Sequence, residues 1–391
     1  MQSGLPPELV AIGRTLEWTS TVVPRWSSLL VPQGGVDLAI AVAVNLPQVS
    51  LAEKDPFVHP CGVEPNDPLW PQQKPHLGAV CMTGGWTGQV TADRLIAVID
   101  SGVKYDLPDL SPNMWRNPLE ALGQPGVDDD QDGIVDDIWG ASFVKQRQHD
   151  CDPPGTPFQA NDPTDRCGHG TGVASILGAV GNNSLGMAGI VWKCQILPVK
   201  IWGEALGTAS DATRGMEYAY RKGARLMNCS WAVNSDAGML HDFIHATWDA
   251  LYVVAAGNSG QDLDNPQHVG HWYPQEWGDD NILVVGNASG PLHDNLGDSN
   301  FGLASVDLFA PGFDMVALDH TGATQVFSGS SAAAPVVTGV AALLWTAKPA
   351  LTPALVRQYL MNAVDPMPLF QGNCVTGGRL NAARALGATC N

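Results

Sequence analysis

The sequence predicts an α/β fold, a mainly parallel sheet with helices on both faces. Two observations carry this. Short continuous apolar runs such as Leu95-Ile96-Ala97-Val98-Ile99 end in turn residues, as buried parallel strands do. These runs alternate with segments that carry small and apolar residues at helical spacing. In order, Leu95–Ile99 is a strand, residues 170–180 a helix, Ile196–Ile201 a strand and Ser210–Lys222 a helix. Arg225–Trp231, Leu251–Ala256 and Ile282–Val285 are further strands. Ala332–Thr346 is a helix of small and apolar residues, with Pro335 expected in its first turn. Ligand sites in such sheets lie at the carboxyl ends of the strands.

The composition suits a large core. Of 391 residues, 45% are apolar and 15% charged, and 43 glycines and 29 prolines imply many turns. The net charge of −19 disfavours nucleic acid and anionic membranes as partners and suits divalent cations. The run Leu38–Val44 is too short to span a bilayer. No basic region followed by an apolar one is legible after Met1, so either a chain numbered from after a lost secretion signal or an N-terminally incomplete sequence is expected. Eight cysteines point to an oxidising, secreted or vesicular compartment. Cys151–Cys167 and Cys374–Cys390 are the expected local bridges, while Cys194 and Cys229 lie in strand-like runs as buried thiols.

Three segments carry chemistry. Asp100 ends the strand Leu95–Ile99, His169 opens a Gly-rich helix start (Gly168-His169-Gly170-Thr171-Gly172), and Ser328-Gly329-Ser330-Ser331 opens a small-residue helix. A serine hydroxyl needs a base to become a nucleophile. Histidine titrates near neutrality, and a carboxylate fixes its tautomer. Helix N-termini offer N–H groups for a developing oxyanion. Taken singly, each segment reads as a cap or a turn. The three together, in this order, do not.

The segments IDSGV, GHGTGVA and SGSSAAAP resemble the signature motifs of the subtilisin-like serine protease (subtilase) family, over roughly residues 64–391. The resemblance implies a subtilisin-like three-layer sandwich and a serine endopeptidase, with Asp100, His169 and Ser331 as triad. The choice of Ser331 over Ser328 and Ser330 rests on alignment with Ala333-Ala334-Pro335. Ala255-Ala256-Gly257-Asn258 resembles the family's oxyanion segment, which gives that role to Asn258. Ser230, Trp231, Ala232, Ala256 and Gly257 would pair with an extended polypeptide substrate. Three departures stand out: Gly172 where the family usually has a second His, Ser330-Ser331-Ala332 for Thr-Ser-Met, and Ala232 for Gly. The alternative is a catalytically altered paralogue that binds peptides or transfers acyl groups to amines.

Six carboxylates crowd residues 126–137. Asp128, Asp130 and Asp132 fit the first ligand positions of a calcium loop, Gly133 its turn, Ile134 a carbonyl and Asp136 the ninth position. Trp139 replaces the terminal Glu, so a full EF-hand is excluded. The run resembles instead a subtilase Ca2+ loop, with Asp137 and Glu120 as further candidates. Residues 182–186 with Asp109 resemble a second calcium site. Asn182, Asn228 and Asn287 start sequons, of which Asn228 falls in a core strand. Residues 1–60 are expected to be an N-terminal extension and 61–391 the peptidase domain, as a monomer. Residues 49–58 look like the end of a propeptide that inhibits the site, with cleavage expected within 56–64.

Overall fold

A computed structural model describes residues 14–16, 28–30, 62–144, 151, 158–203, 207–267 and 269–390. The chain divides into two compact units, residues 1–59 and 60–391. In the first, β1 (Arg14–Leu16) pairs antiparallel with β2 (Ser28–Leu30), Arg14 opposite Leu30. The expected propeptide strand at 49–58 and the apolar run 38–44 lie outside the described residues.

The second unit is built on a nine-stranded sheet. Its strands are β3 (Thr91–Asp100), β4 (Ala141–Ser142), β5 (Lys193–Lys200), β6 (Leu226–Cys229), β7 (Leu251–Ala255), β8 (Ile282–Ala288) and β9 (Leu308–Pro311). A separate hairpin joins β10 (Met315–Leu318) to β11 (Thr324–Phe327). The sheet is completed by β12 (Val364–Pro366) and β13 (Gly378–Leu380). The order is β12-β13-β9-β8-β7-β6-β3-β5-β4, and only the β12–β13 pair is antiparallel. The continuous apolar runs are explained by burial of both faces. Along β3, Ile96 and Val98 enter one core while Ala97 and Ile99 enter the other. Along β7, Leu251 and Val253 alternate with Tyr252 and Val254 in the same way.

Helices α1 (Trp70–Ala79), α2 (His169–Gly178), α3 (Ala209–Arg221), α4 (Gly238–Ala246), α5 (Ser330–Ala347) and α6 (Pro353–Asn362) complete the layers. Residues of α1, α2 and α5 share one core, those of α3 and α4 the other, as expected for a three-layer sandwich. Thr208 and Asp211 form a capping box that starts α3. Among the described residues α5 alone is long and apolar enough to cross a membrane, yet 83% of it is buried inside the protein, so it is a core helix. Its small residues permit close approach: a Cβ on Gly339 would stand 2.5 Å from Ile190.

Two expectations need correction. The helix α5 starts at Ser330, so Pro335 sits in the second turn rather than the first. Lacking an N–H, Pro335 leaves the Ser331 carbonyl without its helical donor. The Ser230 hydroxyl donates to that carbonyl instead, at 3.1 Å. The second correction concerns the cysteines. Cys390 bonds Cys81, not Cys374, while Cys151–Cys167 forms as expected. The C-terminal tail returns beside residues 78–85, where Ala382 N–H donates to the Val80 carbonyl at 2.8 Å. This carries Cys390 to a partner 309 positions away. Cys374 is a buried free thiol, as are Cys194 and Cys229. Burial pushes the Cys194 thiol up to about 12, which makes it inert.

Candidate active site

The carboxyl ends of three adjacent strands deliver the site. β3 ends in Asp100, β6 leads into Ser230-Trp231-Ala232, and β7 leads into Ala256-Gly257-Asn258. The first residue of α2 is His169 and the first two of α5 are Ser330 and Ser331.

Asp100 is fully buried. Its Oδ1 accepts from the Ser101 N–H and from His169 Nδ1, both at 2.7 Å, while Oδ2 has no partner among the described residues. The bond assigns the proton to Nδ1 and leaves Nε2 as the basic nitrogen. The side chain of His169 is 25% exposed and meets Trp202 and Phe327 edge-on, with centroids 5.0 and 5.2 Å away. Burial works against the charged imidazolium, but the charge and hydrogen bond of Asp100, with Asp165 behind, outweigh it and raise the His169 pKa.

The three serines differ in their engagements. Ser328 is exposed and tied to Asp314, accepting from its N–H at 2.9 Å. Ser330 is buried and acts as a hub. Its hydroxyl accepts from Gly257 N–H at 2.9 Å and donates to Asn258 Oδ1 at 3.0 Å; its N–H donates to the same oxygen at 2.8 Å. Ser331 is partly exposed, and its hydroxyl makes one long bond, to the Ser230 carbonyl at 3.3 Å.

With its oxygen held twice by Ser330, the exposed Asn258 amide is fixed in orientation, and its Nδ2 has no acceptor among the described residues. Gln275 braces the two edge segments, donating to the Trp231 carbonyl at 3.1 Å and to the Ala255 carbonyl at 2.6 Å. Trp231 Nε1 in turn reaches the Ile99 carbonyl at 2.8 Å. Gly172 lies against β11. A Cβ there would stand 3.1 Å from Gln325 Nε2 and 3.5 Å from the Phe327 ring, so the Gln325 side chain would have to give by a few tenths of an ångström to admit one.

The acidic loop folds on itself. Carboxylate oxygens of Asp128, Asp130 and Asp132 lie within 4.8 Å of one another. Gly133 takes a φ of +97°, and the Asp128 carboxylate accepts from Asp132 and Gly133 N–H groups at 3.1 and 2.9 Å. Asp136 accepts from Gly126 N–H at 2.8 Å. Glu120, Asp130 and Asp137 form a second, deeper group. There the Lys222 ammonium, from the end of α3, contacts Asp130, Asp132 and Asp137. Asp137 is fully buried and also binds Asn117 and Tyr218. Burial pushes its carboxyl up to about 6, with the Tyr218, Lys222 and Asn117 donors working the other way. Lys222 and Asn117 had no local signal, because their partners are distant in sequence. The stretch 182–186 is tied to Asp67 and Asp109: Asn182 N–H donates to Asp67 at 2.7 Å and Asn183 Nδ2 to Asp109 at 2.9 Å. The sequon asparagines Asn228 and Asn287 are buried.

Comparison with known proteins gives the family. The Subtilase family model matches residues 92–388. Subtilisin-like protease 1 of Plasmodium vivax is 28% identical over 306 residues, 74% of this chain but 46% of the relative. The chain thus spans about half the length of that protein. A thermophilic serine proteinase of a Bacillus species is 30% identical, covering 80% of this chain and 67% of the relative. Thermitase of Thermoactinomyces vulgaris is 28% identical, covering 82% and 99%. A solved protease structure from Pseudoalteromonas arctica shares the fold, with a TM-score of 0.65 at 23% identity over 83% of this chain and 99% of that one. The nisin leader peptidase of Lactococcus lactis does so too, with a TM-score of 0.63 at 20% identity over 83% and 96%. The chain belongs to the subtilase family.

Proposed function

We propose that the protein is a serine endopeptidase that cleaves extended polypeptides through an acyl-enzyme. The observation that carries this is the Asp100–His169 hydrogen bond at 2.7 Å, beside a helix whose start presents Ser331. Ser331 Oγ attacks the scissile carbonyl and His169 Nε2 takes its proton. Asp100 holds the imidazole and stabilises its charged form. Asn258 Nδ2 donates to the oxyanion. His169 then protonates the leaving amine, and water repeats the cycle on the ester. Ser230–Ala232 and Ala256–Gly257 would receive the substrate backbone by strand addition, which requires a locally unfolded chain. Hydrolysis of unfolded casein, abolished by a serine-directed fluorophosphonate, is the expected result. Cleavage that survives full labelling would contradict it, and transfer of the acyl group to an added amine would favour a transamidase.

The pH profile follows from His169. Only the neutral imidazole can take the Ser331 proton, and its pKa is raised. Activity therefore falls as pH drops through a midpoint above the ordinary histidine value of about 6.5. A kcat/KM profile whose acid limb lies at or below that value would contradict the geometry.

The donor chemistry of the acidic loop fits Ca2+. Hard carboxylates at alternate positions, followed by a left-handed Gly133, suit a cation that prefers oxygen ligands. Asp128, Asp130 and Asp132 would hold the ion, with the Ile134 carbonyl and Asp136 completing its shell. The Lys222 ammonium contacts Asp130, Asp132 and Asp137 from the inner side, so the ion would share Asp130 and Asp132 with it. The role is structural, and calcium well above its Kd adds about 2–3 kcal/mol. EDTA is expected to lower Tm by about 5 °C or more, and Asp128→Ala to remove that sensitivity. An unchanged Tm with EDTA would refute calcium binding.

Residues 1–60 would act as a propeptide for a catalytic domain of residues 61–391, which works as a monomer. Two disulfides support an oxidising or extracellular compartment, as does the name of a matched relative, an extracellular basic protease of Dichelobacter nodosus.

A further inference from the structure

The loop before His169 holds a second buried carboxylate. Asp165 is fully buried and lies four residues before His169, in no strand or helix. Both of its oxygens are saturated. Oδ1 accepts from Ser101 Oγ, Cys167 N–H and Gly168 N–H at 3.0, 2.9 and 3.0 Å. Oδ2 accepts from Thr171 N–H and Thr171 Oγ at 2.9 and 2.6 Å. Two of these donors, the Thr171 N–H and hydroxyl, lie in the first turn of α2, and the Gly168 N–H immediately precedes it; the first N–H groups of a helix have no partner within it.

Ser101 completes a chain of bonds. Its N–H donates to Asp100 Oδ1, its hydroxyl donates to Asp165, and that hydroxyl accepts from the Gly170 N–H at 2.9 Å. The end of β3, which bears Asp100, is thereby joined to the start of α2, which bears His169. The fit is tight: a Cβ on Gly170 would lie 2.0 Å from the Gly102 carbonyl and 3.1 Å from the Asp100 side chain. No substitution of Gly170 by a larger residue preserves this junction.

We propose that Asp165, acting through Ser101, is a positioning residue that sets the Asp100–His169 geometry for catalysis. The proposal rests on the reading of Asp100, His169 and Ser331 as a triad. Sequence distance alone would make Asp165 an N-terminal helix cap. The Ser101 bridge is what couples it to the other catalytic strand. Its charge adds to that of Asp100 in favouring the His169 imidazolium. Other charged groups nearby are Arg166, adjacent in sequence, and Lys200, whose ammonium donates to the Thr164 carbonyl at 3.0 Å. His320 borders Gly168.

The test uses Asp165→Asn and Ser101→Ala in the full chain, with active sites counted by fluorophosphonate titration. Asp165→Asn keeps the shape but removes the charge and one acceptor. Its kcat per titrated site is expected to fall about 10–100-fold, with KM nearly unchanged. The acid limb of kcat/KM should move to lower pH. Ser101→Ala cuts the bridge and keeps the charge, so kcat per titrated site should fall while the acid limb moves less. The His169 imidazole is also titrated by NMR in a Ser331→Ala background, with and without Asp165→Asn, and its midpoint should drop in the double variant. A parent with no Ser331-dependent activity would sink the peptidase reading, and the NMR titration would still decide the Asp165 assignment. If Asp165→Asn lowers Tm but leaves kcat per titrated site and the His169 midpoint at parental values, Asp165 is only a scaffold residue and the proposal is overturned. Should Asp165→Asn fail to fold, an unchanged kcat per titrated site in Ser101→Ala overturns it alone.

Discussion

In the Ser331→Ala variant, peptide hydrolysis is expected to fall by about 10⁶-fold in kcat, the scale known for loss of the nucleophile in a related subtilisin. The cause is specific to one hydroxyl. Ser330 is buried and committed to Gly257 and Asn258, and Ser328 is held by Asp314. Neither can take over without dismantling its own bonds. Ser331 makes one 3.3 Å bond, to Ser230, and is free to turn. The fold should survive, because the hydroxyl is partly exposed and the one bond it gives up, to the Ser230 carbonyl at 3.3 Å, is long and weak. An unchanged Tm with lost turnover is the expected pair of results. A loss below about 100-fold would move the nucleophile elsewhere.

Asn258→Ala should cost about two to three orders of magnitude in kcat with little change in KM, as removal of the equivalent donor does in a related subtilisin. The ground-state carbonyl gains little from this amide; the oxyanion gains much, which is why kcat carries the loss. The orientation of the amide is the argument. Ser330 grips its oxygen through both N–H and hydroxyl, so Nδ2 must face outward. Steady-state kinetics on one peptide separate the outcomes. A rise in KM with kcat intact would make Asn258 a substrate-binding residue and not an oxyanion donor.

Much of this architecture was legible because it is local. The apolar run Leu95–Ile99 ends in Asp100, and the small-residue start of α5 carries Ser331, so strand and helix signals sat beside the chemistry. What was not legible is what depends on distance. Cys390 reaches Cys81 only because the tail folds back along residues 78–85, and nothing near Cys390 in the sequence reports that. Lys222 enters the acidic loop from the end of α3, and the run 126–137 itself holds no Lys or Arg that would report such a partner. Pro335 suggested a helix start near Ala332, yet α5 begins earlier because Ser230 supplies the donor that Pro335 removes from the helix. Asp165 is likewise joined to Ser101 and to the start of α2 only in the folded chain, across 64 positions in the case of Ser101.

The most direct measurement is mass-spectrometric mapping of the fluorophosphonate adduct on the native protein. A single phosphonylated serine at Ser331, absent when His169 is replaced by Ala, is the result this account predicts. An adduct on another residue, or undiminished labelling of Ser331→Ala, would contradict it.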